Sequence, residues 1–178
     1  GPGDHAYLHP NEHVNLSQST NDVYPTALKI AIWHGLYGLI YSIRNLRAAF
    51  EAKSKEFDGV IKVGRTQLQD AVPMTLGQEF SAYAVTLSEE EARLNEVAQL
   101  LCEINMGATA VGTGITAHPR YAAKVCEHLS RITGIPFVTA AHLVEATQDA
   151  GVFVQTSGAL KRVAVKISKI CNDLRLLS

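Results

Sequence analysis

Ser19, Thr20, Asn21 and Asp22, within Ser17-Gln18-Ser19-Thr20-Asn21-Asp22, set four short hydrogen-bonding side chains just ahead of a long apolar repeat. If that repeat is a helix, these residues sit at its N-terminus. Free backbone N–H groups and the positive end of the helix dipole then face an incoming anion. Hydroxyl and amide groups can hold a carboxylate there without adding a full positive charge. The same four residue types are also ordinary helix caps, and spacing alone does not separate the two uses. A second polar cluster, Gly64-Arg65-Thr66-Gln67, offers a hydroxyl and an amide that suit a carboxylate or an amine; a plain turn is the alternative. Gly107-Ala108-Thr109-Ala110-Val111-Gly112-Thr113-Gly114 is glycine-rich, but it follows a helical pattern and lacks a closing Lys-Ser/Thr. It therefore reads as a tight connection rather than a phosphate loop. His5, His9 and His13 are spaced by four, yet Pro10 and the polar surroundings argue against the regular helix a metal site would need. No Ser-His-Asp or Cys-His arrangement is legible. We expect neither metal nor cofactor.

The elements that must position these residues follow from periodicity. Residues 4–20 are polar and irregular. The first long helix is expected to start near Asn21 or Asp22, with Pro25 tolerated in its first turn. Leu28, Ile32, Leu36, Leu39, Ile43, Leu46 and Phe50 then recur every three or four residues. Ile30, Trp33, Tyr37 and Ile40 add apolar surface outside that stripe, as in a helix covered by several neighbours. A short β excursion or hairpin is expected near 60–73, where Val60-Ile61-Lys62-Val63 and the alternation up to Val72 break the helical period. Thr75-Leu76-Gly77-Gln78 reads as a capping box opening a second helix, whose spacing runs through Leu101 and Ile104. Pro119 starts a shorter helix that Gly134-Ile135-Pro136 closes. A last helix is expected from about Val144 onward. The fold class is all-α: long helices in an elongated bundle that other subunits complete.

Composition agrees with a globular domain, at 47% apolar and 19% charged residues. Lys plus Arg total 16 against 17 for Asp plus Glu, so charge gives no reason to expect nucleic acid or an acidic membrane. The sequence has no apolar run of the roughly 18 residues that a membrane span needs. Cys102, Cys126 and Cys171 fall in helical patterns without CxxC spacing, which suggests buried thiols in a reducing, cytoplasmic compartment. Gly1-Pro2-Gly3 reads as a cloning remnant, and the apolar stripe runs to Leu177 without a stop signal, as expected of a fragment.

His9-Pro10-Asn11-Glu12-His13-Val14-Asn15-Leu16-Ser17-Gln18-Ser19-Thr20-Asn21-Asp22 resembles the first conserved motif of the fumarase/aspartase superfamily. Gly64-Arg65-Thr66-Gln67-Leu68-Gln69-Asp70-Ala71-Val72-Pro73 resembles its second, and Gly107–Gly114 and Gly158–Leu177 are similar to parts of its central domain. The resemblance implies that residues 4–178 are a partial central helical domain, truncated at both ends. Ser19-Thr20-Asn21 and Thr66-Gln67 look like the ammonia-lyase branch rather than the fumarases, which typically carry Ser-Ser-Asn and Thr-His. That branch converts L-aspartate reversibly to fumarate and ammonia through an enediolate. Carried over by position, Ser19 and Thr20 would bind the side-chain carboxylate and Asn21 would orient the substrate near its amine. Thr66 would hold the α-carboxylate, with Gln67 beside the amine. His9 and Asn11 resemble a secondary anion site, although Glu12 stands where Asp is usual. The family's catalytic serine belongs to a loop expected downstream of this chain, so no catalytic base is expected within it and the isolated piece should be inactive. The resemblance also implies a homotetramer whose sites combine segments of three subunits. A class II fumarase is the nearest alternative, and a non-catalytic helical assembly module, as in lens proteins of the superfamily, is another.

Overall fold

Ser19 accepts the N–H of Asn21 on its hydroxyl (3.2 Å), and Asp22 returns the bond by accepting the N–H of Ser19 (2.9 Å). This reciprocal cap starts the first long helix, α1 (Thr20–Glu56), one or two residues earlier than the sequence suggested, with Ser19 as the cap rather than Asn21 or Asp22. The structure is a computed structural model and describes residues 3–177. Gly1 and Pro2 of the suspected remnant lie outside the described residues. After α1 come strands β1 (Ile61–Thr66) and β2 (Gln69–Thr75), helix α2 (Leu76–Leu100), strand β3 (Glu103–Ile104) and helix α3 (Tyr121–Thr133). Strand β4 (Val138–Thr139) and helices α4 (Leu143–Gln148) and α5 (Gly151–Leu177) complete the order.

The chain divides into two compact units. The first comprises Gly1–His34 and Ala98–Phe153, the second Gly35–Val97 and Val154–Ser178. In the first, Ile104, Met106, Cys126, Ile135 and Phe137 form the core, with Val23, Ile30, Trp33 and Leu129 packed on it. β3 and β4 pair in parallel there, Glu103 with Val138 and Ile104 with Thr139. α3 closes on Gly134, whose φ of 74° is the left-handed cap that glycine supplies most cheaply. In the second, Leu36, Ile40, Ile43, Leu87, Leu94, Val163 and Ile170 are buried. Phe50, Phe57, Phe80 and Tyr83 add a cluster of edge-on and tilted aromatic contacts with centroids 5.4–5.8 Å apart.

The predicted capping box at α2 is present: the Gln78 N–H meets the Thr75 hydroxyl (3.1 Å), and the Thr75 N–H meets the Gln78 carboxamide (2.9 Å). The hairpin is present too, extending to Thr75. Other expectations need correction. α2 stops at Leu100, because the next residues turn so that the Cys102 and Ile104 carbonyls can take the N–H groups of Val138 and Ala140. The last helix is two helices: Asp149 ends α4 in extended backbone and its carboxylate accepts the N–H of Gly151, opening α5. Leu28 and Leu46 of the first stripe are more than a third exposed. Within the stretch read as irregular, Pro10–Val14 forms one wide helical turn. Cys102 lies beyond the end of α2 and Cys171 is exposed; only Cys126 is a buried helical thiol.

Candidate functional site

The entrance of α1 is held from three directions. Asp22 is fully buried, and besides the Ser19 N–H its carboxylate accepts the N–H groups of Gly107 (3.2 Å) and Thr109 (3.0 Å). Pro25 has no N–H, so the Asn21 carbonyl four residues earlier lacks its helical donor. The buried side chain of Asn105 supplies one: its Nδ2 donates to the Asn21 oxygen (3.0 Å) and to the Thr147 hydroxyl (3.2 Å). The Asn21 side chain in turn donates through Nδ2 to the Ala110 carbonyl (2.6 Å). Because a carbonyl only accepts, this contact fixes which end of the carboxamide is nitrogen. Ser19 is half-buried, and Thr20 and Asn21 are exposed.

The glycine-rich stretch is thus the seat of α1's first turn as well as a connection between helices. It fits because Gly107 and Gly112 have φ of 91° and 94°. A Cβ on Gly107 would lie 2.9 Å from that of Ala122, and one on Gly112 only 2.3 Å from the Cα of Val144. Tyr121 stands nearby. Burial pushes its phenol up, the Asp22 charge adds to this, and a hydrogen bond with Gln18 opposes it, so the ring stays neutral at physiological pH. Sequence reasoning placed Asp22 in the polar cluster and as a possible cap without its loop partners, and missed Asn105 and Tyr121. Only Asn105 had a legible clue, the orphan carbonyl that Pro25 creates.

Thr66 and Gln67 lie in the second unit. Thr66 pairs with Gln69 at the end of β1, and Gln67 and Leu68 form the two-residue hairpin turn with φ of 51° and 63°. Such a turn favours Asn and Gly, so non-glycine residues here cost about 1–2 kcal/mol each. Both Thr66 and Gln67 are exposed. Back in the first unit, Nδ1 of His9 accepts the N–H groups of Asn11 (3.2 Å) and Glu12 (3.1 Å), capping the Pro10–Val14 turn. The ring's proton therefore sits on Nε2. Asn11 accepts from the Asn15 side chain (3.3 Å). Among the described residues no three His, Cys, Asp or Glu side chains gather as a metal site, and no helix is long and apolar enough to cross a membrane.

A family profile described as Lyase matches residues 3–178. The chain belongs to this lyase family. It is 60% identical over 177 residues to the aspartate ammonia-lyase of Pseudomonas canavaninivorans, covering 99% of this chain and 37% of that protein. The aspartate ammonia-lyase of Helicobacter pylori is 55% identical over 176 residues, with 99% and 38% covered. Among solved structures, fumarate lyase:delta crystallin of Brucella melitensis superposes with a TM-score of 0.96 at 57% identity, covering 99% of this chain and 38% of that one. The class II fumarase of Schistosoma mansoni gives a TM-score of 0.90 at 32% identity, with 94% and 38% covered. The chain therefore spans little more than a third of these relatives' length. The resemblance to the fumarase/aspartase superfamily and the mainly helical fold with a small hairpin are borne out.

Proposed function

We propose that the full-length protein is an aspartate ammonia-lyase, interconverting L-aspartate with fumarate and ammonia. One observation carries the reading: identity to aspartate ammonia-lyases is 54–60% across 99% of the chain, against 32% to the class II fumarase. In this reading residues 4–178 are part of the central helical domain. A base removes a Cβ proton, charge develops on the adjacent carboxylate as an enediolate, and the amine leaves from Cα. Ser19 and Thr20 bind that carboxylate at the positive end of α1. Their hydrogen bonds strengthen as the charge grows, which lowers the barrier. Asn21 orients the substrate near its amine. Thr66 holds the α-carboxylate with Gln67 beside the amine. The strained left-handed backbone of Gln67 supports a role there, since such strain gathers at functional positions. His9 and Asn11 form a secondary anion site, the Nε2–H of His9 being its donor.

The base comes from outside these residues. The carboxylate at the α1 entrance, Asp22, is buried and already accepts three backbone N–H groups. The enzyme works as a cytoplasmic homotetramer whose sites combine segments of three subunits. Exposed apolar side chains on the helices support such an assembly, among them Tyr41, Val85, Val154 and Val165 at 58–70% exposure. The test is fumarate absorbance with the full-length protein, supplied separately with aspartate and malate. Fumarate from aspartate is expected, with turnover falling about 10²-fold in Ser19→Ala or Asn21→Ala. Activity on malate alone would identify a fumarase, and none on either substrate a non-catalytic module. The 178-residue piece itself should form no fumarate.

A further inference from the structure

We infer that Asp22 is a positioning residue for the carboxylate-binding turn, with Asn105 as its auxiliary; the inference rests on the functional reading above. A Ser-Thr-Asn run needs nothing more than local capping to begin a helix. Here the run is also tied to residues more than eighty positions away. Asp22 joins the Ser19 N–H on one carboxylate oxygen to the Gly107 and Thr109 N–H groups on the other. Asn105 holds the Asn21 carbonyl that Pro25 leaves without a helical donor, and Ala110 holds the Asn21 side chain. Asp22 is wholly buried and its oxygens are occupied, so it does not touch substrate. Three bonds from a rigid, glycine-dependent loop converge on the one turn whose hydroxyls must lie where negative charge develops. That arrangement costs the fold a buried carboxylate, which a simple N-cap does not require.

Asp22→Asn preserves shape but offers one acceptor oxygen to three N–H donors, so either Ser19 or the loop loses its partner. The variant is made in the full-length protein, with Asn105→Ala as the second variant should Asp22→Asn fail to fold. Two inhibitors separate positioning from general damage: a nitronate that mimics the enediolate and a saturated dicarboxylate that mimics only the ground state. Misplacement of the hydroxyls should weaken the nitronate about 10²-fold in Asp22→Asn and about tenfold in Asn105→Ala, and the dicarboxylate less than about threefold. Loss of folded protein alone would leave both inhibition constants unchanged. Equal weakening of the two inhibitors, or no weakening in a folded variant, overturns the inference. Hydrogen exchange over residues 17–23 gives a readout independent of turnover. Faster exchange confined to that segment and to 105–110 is expected, and unchanged exchange refutes the clamp. Wild-type protein inactive on aspartate would instead refute the functional reading, and exchange would still decide whether Asp22 holds the turn.

Discussion

Gly77→Ala sets two opposed effects against each other, and the structure decides which prevails. In an ordinary helix the change stabilises, because alanine is favoured over glycine by about 1 kcal/mol. At Gly77 a Cβ would fall 2.5 Å from the Ser54 carbonyl oxygen, 2.8 Å from the Asp58 Cα and 2.9 Å from the Asp58 nitrogen. All three are backbone atoms, so no side chain can swing aside. Gly77 also donates its N–H to the Phe57 carbonyl (3.0 Å) and accepts from the Ser54 hydroxyl (2.9 Å), bonds that weaken if α1 and α2 move apart there. Overpacking costs roughly 1–3 kcal/mol and each strained hydrogen bond up to about 1 kcal/mol. After subtracting the propensity gain, the net is centred near about 2 kcal/mol of destabilisation, or a fall in Tm of roughly 4–8 °C for a chain of this size. Gly158→Ala is the control. It lies within α5, with nothing among the described residues inside 4 Å of the added carbon, so it should raise stability by about 0.5–1 kcal/mol. Urea unfolding followed by circular dichroism measures both. If Gly77→Ala matches or exceeds wild-type stability, the close-approach argument is wrong.

Glu90 is buried; one of its oxygens holds Arg162 (2.9 Å) and Lys166 (2.6 Å), and the other finds no partner among the described residues. Glu90→Gln should cost about 1–2 kcal/mol by urea unfolding, less than the roughly 3–5 kcal/mol of a fully buried pair because Arg162 and Lys166 can both reach water. The Lys166 ammonium is pushed above its ordinary 10.5, chiefly by its bond to Glu90 and against the cost of burial. Burial and the Glu79 carboxylate push the Tyr83 phenol above its ordinary 10.0. In both cases the unfolded chain releases its proton first, so their stabilisation is complete below about pH 10 and is lost as pH climbs further. Stability scans from pH 8 to 11.5 should therefore fall less steeply for Lys166→Met and Tyr83→Phe than for wild type. Parallel curves would refute the linkage.

What the sequence made legible was what neighbouring residues determine together. The Thr75–Gln78 cap, the glycine stop after α3 and the hairpin with Thr66-Gln67 at its turn all rest on contacts a few residues long. The end of α2 was not legible, because Leu101 and Ile104 keep the 3/4 spacing after the helix has stopped. β3 and β4 are two residues each and exist because strands 35 positions apart pair, so no periodicity announces them. The site divides in the same way. Ser19, Thr20, Asn21, Thr66 and Gln67 were visible as residue types, and the bonds that hold Asn21 and Asp22 were invisible because their partners lie at 105–110.

Those long-range bonds bear on the question that spacing left open, whether Ser19 to Asp22 cap a helix or bind an anion. The Ser19 oxygen accepts the Asn21 N–H and keeps its own hydrogen to donate outward. Asp22 completes the cap through one oxygen and grips the Gly107 loop through the other. Capping therefore spends the backbone N–H groups of Ser19 and Asn21 but leaves the Ser19 hydroxyl hydrogen free for an anion. A cap alone would tolerate any short polar residue at Asn21 and any donor at Asn105. An arrangement that seats the Asn21 side chain on Ala110 and its carbonyl on Asn105 tolerates far fewer. Replacing Asn105 by leucine, which keeps the branching but removes the polar atoms, should leave the Ser19–Asp22 cap intact, and aspartate turnover should still fall if positioning is what the buried amide contributes.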